Sequence, residues 1–377
     1  MNTSLSFPTQ VRFGAGVISE LPAYLQSESL TRPLVVTDPM VRQLPFFEAI
    51  VDQLTQAGLD VSIFSEMHKN PVKSDVLAGG DAYEAGACDC IVGIGGGVAM
   101  DVARAIALRI HHRRDLFDYD DLIGGDVYVT EEVPPLITVP TTSGTGSEVG
   151  RSAIISEDDS KRKRILFSPK LMAQQVFADP ALTMELPPSI TATTGMDALT
   201  HNLEAYLAKN WNPLCDGIAL QGIRLIMDSI ETAVKHPTME SRANMMIASL
   251  MGATAFQKGL GVVHSLAHPL STLLDMHHGL ANAITLPYGM RFNLPHCQDK
   301  FKDLAWAMKL HGGPDAVIDE LFKLNDRLGI EPRLRDHGVE ESHLPTLSEL
   351  AEADFAHPNN PVPVTREDFM ELYLAAY

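Results

Sequence analysis

The chain has 377 residues, 45% hydrophobic and 20% charged, which is globular composition and length enough for two domains with full-sized cores. Its formal net charge of −19 makes nucleic acid and anionic membrane surfaces poor partners. The four cysteines, Cys88, Cys90, Cys215 and Cys297, include no CxxC pair, which argues against a disulfide framework or a thiolate zinc site and for a reducing, cytoplasmic setting.

The first residues lack a basic region followed by an apolar core, so no signal peptide is expected, and no apolar run is long enough to span a bilayer. Residues 5–13 alternate loosely up to Gly14 and predict an edge strand. Leu34–Thr37 is a β-type run ending at Asp38-Pro39. A helix over 46–57 follows, with Phe47, Ile50, Val51 and Leu54 on one face and Gly58 as its stop. Residues 61–64 predict a strand and 75–87 a helix. Cys90–Ile94 then runs into Gly95-Gly96-Gly97, with a helix from near Ala99, and Leu136–Pro140 is a further buried strand. Alternating strands and helices predict a parallel sheet with helices on its faces. After Phe177-Ala178-Asp179-Pro180 the strand runs disappear and long apolar-periodic helices take over. The expected division is an α/β domain over 1–185 and an all-α domain over 186–377.

Three places in the first half carry chemistry. Asp38, at a strand's carboxyl end, suits the two hydroxyls of an adenosine ribose; Asp before Pro is equally a turn starter. Gly95-Gly96-Gly97 passes a strand into a helix, leaving backbone N–H groups open to phosphate at the positive end of the helix dipole. The spacing is not G-x-G-x-x-G. Asp101, in the first helical turn, can cap backbone donors or orient a ligand amide. The loop from Thr141 to Glu148 follows a strand end with Thr141, Thr142, Ser143 and further hydroxyls and glycines, suited to a diphosphate or a nicotinamide ribose. Lys161-Arg162-Lys163-Arg164 reads as a solvated hairpin or as a cation beside a bound phosphate.

In the second half, Asp197 and His201 are four residues apart in a helical stretch, so both leave one face. His264 and His268 share the face of an apolar helix, and His277-His278 opens another. Asp197, His201, His264 and His278 together offer one carboxylate and three imidazoles, a set that suits Fe²⁺ or Zn²⁺.

These motifs resemble, in order and over essentially the whole chain, the iron-containing (group III) alcohol dehydrogenases. The resemblance rests on Gly95-Gly96-Gly97, Pro140–Glu148, Gly195–His201, His264–Pro269, His278-Gly279 and Asn360-Pro361. It implies a dehydroquinate synthase-like fold with the active site in the cleft between an NAD-binding domain and a helical domain, and commonly a homodimer. It implies Asp197, His201, His264 and His278 as ligands of Fe²⁺ or Zn²⁺, and NAD contacts at Asp38, Gly95, Gly96, Gly97, Asp101, Thr141, Thr142, Ser143 and Lys163. His268 falls beside the metal and the nicotinamide, as a proton relay, as support for the metal or as an ordinary buried histidine. The reaction implied is hydride transfer between NAD and a small alcohol (a primary alcohol, diol or hydroxyalkanoate), with the metal polarising the substrate oxygen. Glycerol-dehydrogenase-like zinc enzymes and dehydroquinate-synthase-like lyases share this layout. The former normally use three protein ligands, so His278 favours the iron type, and the latter need more cations for a phosphate-bearing substrate. Three departures stand out: Val98 where Ser is usual, Gly150-Arg151-Ser152 where Thr often follows Glu148-Val149, and Val362 where Arg is frequent. Ser152 would widen the substrate pocket, while Arg151 leaves an acidic hydroxyalkanoate open.

Overall fold

The computed structural model describes Ser6, residues 9–130 and residues 132–377. These form two compact units: one running to Thr142 and resuming over Ser147–Thr183, the other Met184–Tyr377 with Ser6 and Ser143–Gly146.

The first unit is α/β. In chain order its elements are β1 (Gln10–Phe13), α1 (Leu21–Ser27), β2 (Pro33–Val36), α2 (Pro45–Gln56), β3 (Ser62–Phe64), α3 (Lys73–Ala85), β4 (Cys90–Gly95), α4 (Gly97–His111), β5 (Leu136–Pro140), β6 (Ser152–Ser156), β7 (Lys163–Phe167) and β8 (Gln175–Ala178). Six strands make one parallel sheet in the order β1-β8-β5-β4-β2-β3. Of the expected edge strand over 5–13, Gln10–Phe13 is β1, while Leu5, Phe7 and Pro8 lie outside the described residues.

The central strand β4 shows how a fully buried run serves two faces. Cys90, Val92 and Ile94 pack with Leu21, Phe47, Ile50 and Leu54 from α1 and α2, whereas Ile91 packs with Val102, Ala103 and Ile106 of α4. Each such aliphatic side chain contributes roughly 1.5–3 kcal/mol by leaving water. The basic run lies on the antiparallel β6–β7 hairpin, whose turn carries Lys161 at φ 58° and whose register sets Ser156 opposite Lys163.

The second unit is helical: α5 (Pro188–Leu207), α6 (Pro213–Lys235), α7 (Met239–Ala255), α8 (Val262–Leu274), α9 (His278–Asn293), α10 (Gln298–Ala307), α11 (Asp315–Arg327), α12 (Leu344–Glu352) and α13 (Arg366–Ala376). Pro188 opens α5 at a position where its missing N–H has no intrahelical partner to lose. From Thr194 to Leu207 α5 is buried on every side, packed by α6, α7 and α9, so it has no polar face to give it an amphipathic pattern. Among the described residues no single helix is long and apolar enough to cross a membrane.

Candidate metal centre and dinucleotide turn

The helical unit brings the four expected ligands together from three helices. Asp197 and His201 come from α5, His264 from α8 and His278 from the first turn of α9; one ligand atom from each lies within 4.8 Å of all the others. Gly279 is what lets α9 come so close. A Cβ there would lie 2.3 Å from the Thr193 carbonyl oxygen and 3.3 Å from the Asp197 Cβ.

The donor atoms are lone pairs turned inward. His264 Nδ1 sits 2.6 Å from Glu204 Oε2, so that nitrogen carries the proton and Nε2 is left as an acceptor. The Asn282 amide nitrogen lies 2.7 Å from Asp197 Oδ1, 3.1 Å from His278 Nε2 and 3.4 Å from His264 Nε2. His201 Nδ1 is buried with no hydrogen-bond partner among the described residues, 3.8 Å from Asp197 Oδ1. Burial alone would raise the Asp197 carboxyl, but His201, His278 and the Asn282 amide outweigh it and hold it below its usual range. Burial, helped by neighbouring imidazoles, holds His264 and His278 well below the usual histidine range. The centre at neutral pH is therefore one anion with neutral imidazoles there, and an orphaned buried nitrogen completes it. That is the chemistry of a divalent-cation site, and the residues fit one.

Glu204 and Asn282 were not singled out from the sequence, though each could have been. Glu204 stands seven residues after Asp197 and three after His201, on the same face of α5. Its carboxylate accepts from the N–H groups of Val263 (2.7 Å) and His264 (3.3 Å) as well as from the ring of His264. It thus caps α8 and orients a ligand with one group; burial pushes its pKa up to about 7. Asn282 is one turn beyond His278 on α9. His268 also lies here, its ring stacked on that of His278 at 5.4 Å.

In the α/β unit, the expected cofactor residues fall at the carboxyl ends of neighbouring strands. Reading β3-β2-β4-β5-β8 across the sheet, the chain order reverses between β2 and β4, a switch point where open α/β sheets bind ligands. Asp38 follows β2, and Gly95–Gly97 ends β4 and opens α4. Gly95 has φ 153°, and a Cβ on it would lie 2.6 Å from the Ala99 Cβ and 3.3 Å from Asp38 Oδ2. Gly96 would meet Thr142 Oγ1 at 3.2 Å. The turn is a cradle that side chains would fill. Among the described residues the N-cap Gly96 gives α4 no side-chain cap, so the first amides of the helix are left for an anion. The buried Thr37 and Thr141 hydroxyls have no hydrogen-bond partner among the described residues. These features fit a dinucleotide pyrophosphate.

The remaining candidates are placed less simply. Asp38 Oδ1 accepts from the N–H groups of Met40 and Val41, so one oxygen does serve the turn. Both oxygens of Asp101 accept from the protein, Oδ1 from Ser147 Oγ at 2.9 Å and Oδ2 from Ile154 N–H at 3.1 Å. Burial pushes Asp101 up to about 6 against the pull of the buried Arg104 guanidinium beside it. Lys163 begins β7. Ser143 belongs to the helical unit, where the loop's glycines sit tight against α5 and α7: a Cβ on Gly144 would lie 2.9 Å from the Thr194 side chain. Asn360, beside the missing Arg, is itself an anchor: its Oδ1 accepts from Val262 N–H and Asn293 Nδ2, and its Nδ2 donates to Asn293 Oδ1.

Comparison with known proteins shows the family. Residues 8–180 match the family described as iron-containing alcohol dehydrogenase, and residues 191–377 match the Fe-containing alcohol dehydrogenase family, C-terminal. The chain is 38% identical to a 4-hydroxybutyrate dehydrogenase of Cupriavidus necator, over 97% of each chain. It is 33% identical to a crystallised 1,3-propanediol oxidoreductase, with full coverage of both chains and a TM-score of 0.95. A sulfoacetaldehyde reductase from Bifidobacterium kashiwanohense, solved in complex with NAD+, is 28% identical with a TM-score of 0.92, covering 100% of this chain and 99% of its own. This chain belongs to the iron-containing alcohol dehydrogenase family and is an oxidoreductase acting on CH–OH groups.

Proposed function

We propose that this enzyme carries out reversible NAD-linked oxidation of a small primary alcohol to its aldehyde at a cation held by Asp197, His201, His264 and His278. The observation that carries this reading is the convergence of one carboxylate and three imidazole ligand atoms from α5, α8 and α9, three of the four residues buried. When bound, the cation supplies Lewis-acid polarisation of the substrate oxygen and NAD supplies the hydride acceptor. The chain's own residues do the rest. Asp197 offsets part of the cation's charge, and Glu204 and Asn282 hold the ligand atoms in place. Gly95–Gly97 and the opening amides of α4 take the pyrophosphate, and Asp38 takes the adenosine ribose. Thr141, Thr142, Ser143, Asp101 and Lys163 support the remainder of the dinucleotide. His268 exchanges the substrate's hydroxyl proton.

The ligand set suits Fe²⁺ and Zn²⁺ alike, with Fe²⁺ favoured by the family's description. The substrate class is drawn from the relatives: a short chain bearing a second polar group at its far end, as in 4-hydroxybutyrate or 1,3-propanediol. The same reading makes the enzyme a cytoplasmic homo-oligomer, a dimer or larger, supported by the exposed Val11 and Phe13 on the edge strand β1. The test is NADH formation from NAD over a panel of hydroxyalkanoates, diols and simple primary alcohols. Turnover favouring the bifunctional short chains is expected. Binding of both metal and NAD with no turnover on any of them would sink the proposal.

A further inference from the structure

His268 lies one turn along α8 from His264, in a stack of three rings. The His278 ring stacks on it at 5.4 Å between centroids and 14° between planes, and the Phe355 ring at 5.3 Å and 25°. Stacking fixes the plane of an imidazole but not which of its nitrogens carries the proton. Asp354, between α12 and α13, settles that. Its Oδ2 is 2.8 Å from His268 Nδ1. The carboxylate is itself held: Oδ1 accepts from Ser265 Oγ at 2.7 Å and from Ala356 N–H at 2.9 Å. Ser265 Oγ in turn accepts from His357 N–H at 2.9 Å. Both neighbours of the ring in this segment, Asp354 and Phe355, are thus tied to α8 by hydrogen bonds that His268 does not make.

We propose that Asp354 is the positioning residue for His268: it holds the imidazole as its Nδ1–H tautomer and leaves Nε2 to exchange a proton with the substrate hydroxyl. The inference rests on the reading of the enzyme as an NAD-linked dehydrogenase that uses His268. In oxidation the hydride leaves the carbinol carbon for NAD, and the hydroxyl proton goes to Nε2. The imidazolium so formed faces the Asp354 carboxylate, then gives the proton to water; reduction runs the same steps backwards. A carboxylate behind an imidazole both selects the tautomer and stabilises the cation that forms.

The test uses the full chain loaded with Zn²⁺, which is diamagnetic, and labelled with ¹⁵N-histidine. The His268→Gln variant identifies the His268 signals. In the parent, Nδ1 is expected to be the protonated nitrogen. In Asp354→Asn, the amide NH₂ faces Nδ1, so the proton should move to Nε2. With it kcat should fall on the order of 10²-fold, the lower end of what a positioned acid–base group contributes. Zinc affinity and KM for NAD should hold, which a merely structural lesion would not allow. An Nε2–H tautomer in the parent overturns the proposal without need of any variant, as does an unchanged tautomer in Asp354→Asn. A tautomer switch with parental turnover in both Asp354→Asn and His268→Gln would leave the positioning intact and refute the relay role of His268 instead.

Discussion

Replacing Glu204 by Gln tests how much of the metal centre is built by a residue that is not a ligand. The carboxylate accepts at Oε1 from Val263 N–H and at Oε2 from both the N–H and the ring Nδ1–H of His264. A glutamine has one oxygen to offer. Its better orientation keeps that oxygen on His264 and turns the NH₂ towards Val263, leaving two donors facing each other. A buried N–H without a partner costs about 1–3 kcal/mol, and turning a charge-assisted bond into a neutral one loses about half its strength. The loss is roughly 2–4 kcal/mol, partly offset because the mutation also removes a buried carboxylate. Some of that loss reaches the cation: weakening the partner of a ligating imidazole lowers metal affinity about 10–100-fold. The assay is competition for Zn²⁺ against a chelating dye, with thermal unfolding alongside. A Glu204→Gln protein whose zinc affinity stays within about threefold of the parent's, well short of that range, would refute the reasoning.

Gly95→Ala should weaken NADH binding about tenfold or more, measured by fluorescence titration. The new Cβ would lie 2.6 Å from the Ala99 Cβ at a φ of 153°, a conformation that costs an L-residue about 1–3 kcal/mol. Parental NADH affinity would show that the turn does not cradle the cofactor. Burial raises Glu148 from 4.5 to about 7, and its Oε1 has no hydrogen-bond partner among the described residues. The native state therefore binds this proton more tightly than the unfolded chain, and stability from this group falls as pH rises from about 4.5 to 7, by at most about 3 kcal/mol. Glu148→Gln should remove that part of the fall, so its advantage in chemical denaturation grows with pH; an equal difference at pH 5 and pH 8 would contradict it. Asn360→Ala loses the acceptor for Val262 N–H and the paired amide of Asn293, about 2 kcal/mol, lowering Tm by about 4–8 °C. An unchanged Tm would mean that α8 does not depend on this anchor.

The parallel sheet was legible because β2, β4 and β5 are short β-branched and aliphatic runs separated by helical periods, and such runs have few other uses. The order of strands was not, since every parallel crossover of similar length reads alike until packing chooses between them. Asp197, His201, His264 and His278 could be found because each pair or single histidine sits in apolar, helix-forming sequence where a solvated imidazole has no place. Glu204 was equally legible at the seventh position from Asp197, but a lone acid in a helix signals nothing until its burial is known. Asp354 was out of reach: it meets His268 across 86 residues of chain, and no local pattern encodes that contact. Asp101 shows what a position alone leaves open. Its place after the glycines allowed either a cap for backbone donors or a ligand contact, and only the fold shows that Ile154 N–H, Ser147 and Arg104 hydrogen-bond to it.

The central claim is that the cation held by Asp197, His201, His264 and His278 is needed for alcohol oxidation. It is tested most directly by stripping the purified protein with chelator and restoring Fe²⁺ or Zn²⁺ without oxygen. Bound metal is then counted while NADH formation is followed, with His264→Ala run in parallel. Activity that vanishes on stripping, returns with stoichiometric metal and is absent from a His264→Ala protein that no longer retains the ion is the expected result. Full turnover by the stripped protein, or by His264→Ala, would contradict it.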